Sequence, residues 1–453
     1  MNIRGTILAL VLGVPAGGLL LFGPRGQYDA PPGRTVVRYW EKWTGAEGAV
    51  MHRLVERFNR TVGAERNIWV EYIAVSNIEQ RTLIATAGGD PPDVAGLYDY
   101  IVPQYADQGA LRPLEEEARA AGIALDALRP IWLEIGRYRG TLYALPSTPY
   151  TIALYYNRTL FRAAGLDPDR PPATLAEFNE YARRLTRTET YTLPGGGTGT
   201  RIVQAGFTPS TAMLGWWPWV WPCFFDGRLW DGQRCTLDTP AGRAAMHWLA
   251  DLRRAQGPEL MLSFEGTAGA IESAQNPFLA GQIALLFQGP WLSNWIAKYA
   301  PDLDYAVAPF PSVTVERRNA FASTDVFVIP SSARHPREAM TFLAFVLQQD
   351  VLEELCREHN KISPFRTPSP DFYARHPNPH IRVFDALAAS PHVFGYPSMP
   401  MWLRVMDESK QLLNIVLRDP GQADAALEAA QRKADAIVRD YEAMAAQRRG
   451  AGR

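Results

Sequence analysis

Short apolar runs at residues 36–40, 68–75 and 93–97 predict three β-strands. Between the first two, Val50, Leu54, Val55 and Phe58 fall on one face of a helix. Residues 78–87 predict a second helix, stopped by Gly88-Gly89. Strands and helices alternating in this way imply a mostly parallel sheet with helices on both faces. Further along, residues 141–145 and 151–156 read as two strands split by Pro146 and Pro149. Thr174 and Glu177 form a capping box ahead of the apolar stripe Leu175, Phe178 and Leu185. Thr239-Pro240 opens another helix, with Ala241, Ala245, Trp248 and Leu252 as its inner face. The Gly-rich stretch 195–199 lacks the Lys-Ser/Thr of a phosphate-binding loop and reads as a turn. Leu427, Ala430, Ala434, Ile437, Tyr441 and Met444 mark the packing face of a last helix.

Composition adds bounds. At 453 residues, 47% hydrophobic and 21% charged, the chain has room for two or three domains and a large core. A formal net charge of −1 offers no basic surplus, so no nucleic-acid partner is expected. There are 13 Trp, more than core packing needs, and Trp also serves recognition surfaces. Arg4 precedes an apolar run, 6–22, that suits a secretory segment or a single membrane span. No Cys follows it for lipidation, and no clear small-x-small cleavage site follows either. Residues 1–33 are therefore expected to be a signal or uncleaved anchor with a Pro-rich linker. That places the protein in the periplasm or on the outer face of the cytoplasmic membrane. Cys223 and Cys235 flank an expected hairpin, 224–234, and are disulfide candidates in such a compartment. Cys356 reads as a buried thiol.

Chemistry leaves few marks. The HExxH, GxSxG, CxxC and Walker patterns are absent. His376 and His380 have helical spacing, but Pro377 and Pro379 break any helix between them. No catalytic residue, metal or cofactor is expected, and binding is favoured over catalysis.

Six segments then come in a telling order. They are Gly89-Asp90-Pro91-Pro92-Asp93-Val94, Tyr105-Ala106-Asp107-Gln108-Gly109 with Pro113-Leu114, and Gly140-Thr141-Leu142-Tyr143-Ala144-Leu145-Pro146. Leu154-Tyr155-Tyr156-Asn157 with Leu160-Phe161, Pro172-Ala173-Thr174 with Glu177-Phe178, and Phe278-Leu279-Ala280-Gly281-Gln282 with Gly289-Pro290-Trp291 follow. Together they resemble family 1 extracellular solute-binding proteins of ABC importers, of the maltose/oligosaccharide-binding type. The resemblance implies an α/β, two-lobed periplasmic-binding-protein fold (type II), each lobe a mostly parallel sheet flanked by helices. It implies lobes at 34–147 plus about 309–363, and at 148–308 plus about 364–450, closing on a ligand between them. It implies a monomeric carbohydrate receptor, for a mono- or oligosaccharide, that hands its ligand to the transmembrane subunits of an ABC permease. Alternatives are a polyol or glycerophosphodiester receptor, a sensor input protein, or an extracytoplasmic glycoside-processing enzyme.

A sugar has apolar C–H faces and a hydroxyl rim, so its receptor needs flat aromatics and charged or amide groups. Glu41, Trp43 and Thr44 follow the first strand, and Tyr98 and Asp99 the third, where α/β lobes bind ligands beyond strand carboxyl ends. The resemblance places Tyr150 at the first hinge crossing, where maltose-type members carry a carboxylate. It places Trp216 or Trp217 on an aromatic wall, and Trp291 and Trp402 at stacking positions. Arg404, Thr324 and Asp325 are candidates for the rim.

Overall fold

A computed structural model describes residues 30–210, 217–269, 273–314 and 317–451. The apolar run 6–22 of the expected signal or anchor segment and the candidate Trp216 lie outside these. Thirteen strands are described: β1 (Thr35–Glu41), β2 (Ile68–Ala74), β3 (Val94–Tyr98), β4 (Arg137–Tyr138), β5 (Thr141–Leu142), β6 (Leu145–Thr151), β7 (Ala153–Asn157), β8 (Arg187–Thr192), β9 (Thr198–Gln204), β10 (Leu285–Gln288), β11 (Tyr305–Ala308), β12 (Ala320–Val328) and β13 (Val393–Phe394).

The larger sheet has the order β13-β12-β3-β1-β2, with β6 paired to β12. β1 runs parallel to β2 and β3, as the strand–helix alternation requires. The helix Gly45–Arg60 covers this sheet with Val50, Met51, Leu54, Val55 and Phe58, so the predicted stripe is the buried face. β12 enters from far along the chain and lies antiparallel to β3 and to β6. The smaller sheet, β10-β7-β11, departs from the parallel pairing expected of it: β7 runs antiparallel to both neighbours. The two sheets and their helices form the two lobes of a type II periplasmic-binding-protein fold.

The prolines do not split the chain where expected. Pro146 and Pro149 both lie inside β6 and register against Val326 and Thr324 of β12. β6 has β12 as its one strand partner, so it is an edge strand, where a missing backbone donor is tolerated. The local signals elsewhere hold. The Thr174 hydroxyl accepts from the Glu177 N–H at 3.1 Å, and Thr239 accepts from Gly242. Gly195, Gly196 and Gly197 all take positive φ in the turn that joins β8 to β9. In the last helix, Ala423–Ala451, Leu427, Ala430, Ala434 and Ile437 are buried, whereas Met444 is exposed.

The cores differ in character. Under the larger sheet, aliphatic residues of β1, β2 and the helices Gly45–Arg60 and Pro336–Val346 dominate. The core of the second lobe is aromatic, with Phe178, Trp217, Trp219, Trp221, Phe287, Phe321 and Trp402 in one cluster. Cys223 and Cys235 belong to that cluster as free thiols, so the expected disulfide is not formed. The physical reason is local. The hairpin pairs Cys235 with Trp230 around the turn at Asp231, while Cys223 sits in the short helix Trp221–Phe224. Burial pushes both thiols up to about 12.

Candidate functional site

β1 ends at Glu41, and the next residues turn into the helix Gly45–Arg60. The Tyr72 hydroxyl donates to the Trp43 carbonyl at 2.8 Å and fixes this turn. Gly48 permits the same turn: a Cβ there would stand 2.8 Å from the Trp43 oxygen. Trp43 and Thr44 are thereby held against a cavity of about 610 Å³. Its other walls come from Tyr98 at the end of β3 and Tyr100 just beyond it, Asp325 on β12, Tyr150 on β6, the segment 291–298, Tyr396, and Glu358 with Lys361. Both lobes contribute, so the cavity is the cleft between them.

Asp325 is the centre of its electrostatics. It is 5% exposed, in the middle of the larger sheet opposite Tyr98. The Thr148 hydroxyl donates to it at 2.6 Å, and the ammonium groups of Lys42 and Lys361 stand at 3.2 and 3.9 Å. Burial alone would raise its carboxyl. The two lysines outweigh burial and hold it below the usual carboxylate range. Lys42 mirrors this: burial would lower it, but Asp325 and Glu41 keep it well above a free lysine. Its Nζ also donates to Glu41 at 3.1 Å and to the Leu97 carbonyl at 3.5 Å, with Tyr98 and Trp43 flanking it.

Lys361 owes its place to a helix ending. After the helix Gln349–Glu358, Asn360 turns left-handed (φ 54°), and the Lys361 N–H closes on the Cys356 carbonyl at 2.7 Å. That aims Lys361 into the cleft, where its Nζ lies 4.2 Å from the Trp291 ring centroid and 4.5 Å from that of Tyr150. Trp291 folds back over Gly289, where any Cβ would strike the indole. Beside it, His359 is held neutral: burial, then Lys361, push it down to about 3.

The structure thus brings Trp43, Thr44, Tyr98, Tyr150, Trp291 and Asp325 to one cavity. Four other candidates stand behind the wall. Glu41 is buried, accepts from the Tyr39 hydroxyl and the Lys42 N–H, and positions Lys42. Asp99 is buried, accepts from the Ser323 hydroxyl at 3.0 Å, and is pushed up to about 7 by burial. Thr324 turns its hydroxyl to the Asp325 carbonyl. Trp217 packs under Tyr150 and Trp291. Two candidates are elsewhere. Trp402 is a core residue edge-on to Trp219, because it opens the helix Trp402–Arg418 with its ring turned into the aromatic cluster. Arg404 is half-exposed on a separate groove beside Tyr441, with Asp440 at 3.9 Å.

Sequence reasoning missed Lys42, Glu47, Tyr100, Trp295, Lys361 and Tyr396 on this cavity. Lys42 and Tyr100 adjoin residues that were candidates, so strand-end position would have found them. Lys361 and Tyr396 carry no local signal.

Two α/β lobes around a closed-in aromatic and ionic cleft define a receptor for a small solute. Among the described residues, no three or more metal-ligating side chains are grouped to hold an ion. The chain belongs to the bacterial extracellular solute-binding protein family, whose model matches residues 42–352. It is a solute receptor of the ABC-importer class and acts outside the cytoplasm. Among the described residues, no helix is long and apolar enough to cross a membrane.

Among its relatives, a binding protein of Brucella abortus is 27% identical over 303 residues, covering 66% of this chain and 69% of the relative. The sn-glycerol-3-phosphate-binding periplasmic protein of Salmonella typhimurium is 28% identical over 158 residues, 33% of this chain and 35% of its own. The mannotriose-bound structure of CpMnBP1 superposes with a TM-score of 0.75 at 24% identity, over 88% of this chain and 100% of that one. UgpB of Mycobacterium tuberculosis, bound to glycerophosphocholine, gives 0.72 at 21%, over 90% and 100%.

Proposed function

We propose that the solute is a carbohydrate and that the receptor delivers it, as a monomer, to the transmembrane subunits of an importer. One observation carries this reading. The cleft is lined by Trp43, Tyr98, Tyr100, Tyr150, Trp291, Trp295 and Tyr396, and its charges cancel, with Lys42, Lys298 and Lys361 facing Glu47, Asp325 and Glu358. Aromatic faces suit the C–H faces of a sugar, and a charge-balanced rim suits neutral hydroxyls. The mannotriose bound by one structural neighbour is in keeping with it.

In this reading residues 34–147 with about 309–363 form one lobe, and 148–308 with about 364–450 the other. They close on the sugar by hinge motion at the crossings. The apolar run 6–22 tethers the receptor beside its permease, which raises the effective concentration of the pair. Fractionation with N-terminal sequencing tests the tether. A soluble mature protein that starts beyond Phe22 would remove it.

The Lys42 and Lys361 ammonium groups favour one alternative, a glycerophosphodiester or phosphorylated polyol. A thermal-shift screen separates the two. A native-state ligand raises the melting temperature by mass action. Mannobiose, mannotriose, maltose and sorbitol form one arm, and glycerophosphocholine and sn-glycerol 3-phosphate the other. A shift confined to the second arm overturns the carbohydrate reading. Incubation with the same saccharides followed by product analysis tests the absence of hydrolysis.

A further inference from the structure

The two lysines at Asp325 are not equivalent. Lys42 has an acceptor for each of its three N–H groups, in Glu41, Asp325 and the Leu97 carbonyl. Lys361 has aromatic faces on two sides and Asp325 at 3.9 Å, beyond hydrogen-bond distance. Among the described residues, no acceptor lies within hydrogen-bond distance of its Nζ, although Lys361 is only 7% exposed. Its Nζ opens onto the cavity, so its three donors are available to a solute there.

Across the same cavity stands Glu47, in the first turn of the helix Gly45–Arg60. Its backbone carbonyl takes the His359 ring, but among the described residues no hydrogen bond or ion pair engages its carboxylate. Burial raises the Glu47 carboxyl, and Lys361 opposes that, so the two groups sense each other without closing an ion pair. Lys361 itself is lowered by burial, with Asp325 and Glu47 opposing.

A lysine with free donors and a carboxylate with free acceptors, facing one space, define what fills it. A lone anion would satisfy Lys361 but meet repulsion from Glu47 and Asp325. A lone cation would meet the reverse. A hydroxyl accepts from an ammonium and donates to a carboxylate at once. We infer that Lys361 and Glu47 form a clamp on adjacent hydroxyls of the solute and set the receptor's preference for a neutral vicinal diol. The clamp rests on the carbohydrate reading and sharpens it. Trp291 would not stack on the sugar through the face that Lys361 covers, so the solute's hydroxyl rim is turned to that wall.

The test is titration calorimetry with mannobiose, maltose, sorbitol and glycerophosphocholine on the full chain and on Lys361→Met, Glu47→Ala and the double variant. Near-ultraviolet circular dichroism checks that each folds; Glu47→Ala alters a partly exposed side chain and keeps the experiment interpretable if Lys361→Met does not fold. A saccharide or sorbitol should bind the parent, and each single variant should weaken it about tenfold or more. The double variant should lose less than the product of the two, because both groups hold the same hydroxyls. If a saccharide binds and both single variants stay within about twofold, the clamp is wrong and the carbohydrate reading stands. If glycerophosphocholine alone binds and Glu47→Ala leaves it untouched, the clamp is overturned in favour of an anion site. If no saccharide or polyol binds, the carbohydrate reading and the clamp fall together.

Discussion

Replacing Asp325 by Asn removes one charge and little volume from the centre of the larger sheet. In the native protein that charge stands 3.2 Å from Lys42 and 3.9 Å from Lys361, both nearly buried. Without it, Lys42 keeps Glu41, whereas Lys361 loses its ion-pair partner. Breaking a buried pair by removing one member costs about 3–5 kcal/mol, because the remaining charge is stranded in low dielectric. The Thr148 hydroxyl still has an amide oxygen to donate to, so the loss is electrostatic. Urea unfolding followed by Trp fluorescence reads it. With a slope near 3 kcal/mol/M, the midpoint should fall by about 1–2 M at constant slope. Adding Lys361→Met to Asp325→Asn should recover part of the loss, since the stranded charge is then gone. The pH dependence has a defined sign. Asp325 is held below its ordinary value, so its contribution is present above about pH 4 and is lost as pH falls through the lower folded value. An Asn variant within about 1 kcal/mol of the parent, or no recovery in the double variant, would refute this account of the cleft.

Three further outcomes are expected. Asp99 is pushed up to about 7 by burial, so the folded state holds a proton that the unfolded chain releases above about pH 4. Stability should therefore fall from pH 4 to 7, and Asp99→Asn should flatten that profile and gain on the order of 1–4 kcal/mol on the parent at pH 8, measured by denaturation across pH. Trp402→Ala should cost about 3–5 kcal/mol of stability as a core truncation, so its urea midpoint, rather than a direct ligand contact, is where the change should register. Cys223 and Cys235 should react with a thiol reagent after unfolding and resist it when native, and reductant should leave the melting temperature unchanged; a mass loss of two hydrogens in the non-reduced chain would contradict this.

Much of the scaffold was legible locally. Helix stripes such as Val50, Leu54, Val55 and Phe58, the caps at Thr174 and Thr239, and the glycine turn before β9 follow from periods and capping rules within a few residues. The resemblance of six ordered segments added the two-lobed class, strand-end position pointed to Trp43 and Tyr98 on the cleft, and Asp325 was a candidate for its rim. What no local rule reached is which side chains share that cleft. Thr148 and Asp325 meet across 177 positions of sequence because β12 returns to lie between β3 and β6. Lys361 faces Trp291 and Tyr150 only because a left-handed Asn360 ends its helix at the cleft mouth. Trp402 and Trp291 look alike as exposed-or-buried aromatics in the sequence, and packing alone sends one to the core and the other to the cavity. Period and capping are short-range properties of the backbone, so the chain states them outright. The charge state and ownership of a cleft residue depend on neighbours supplied from distant segments, and those are settled only when the lobes fold together.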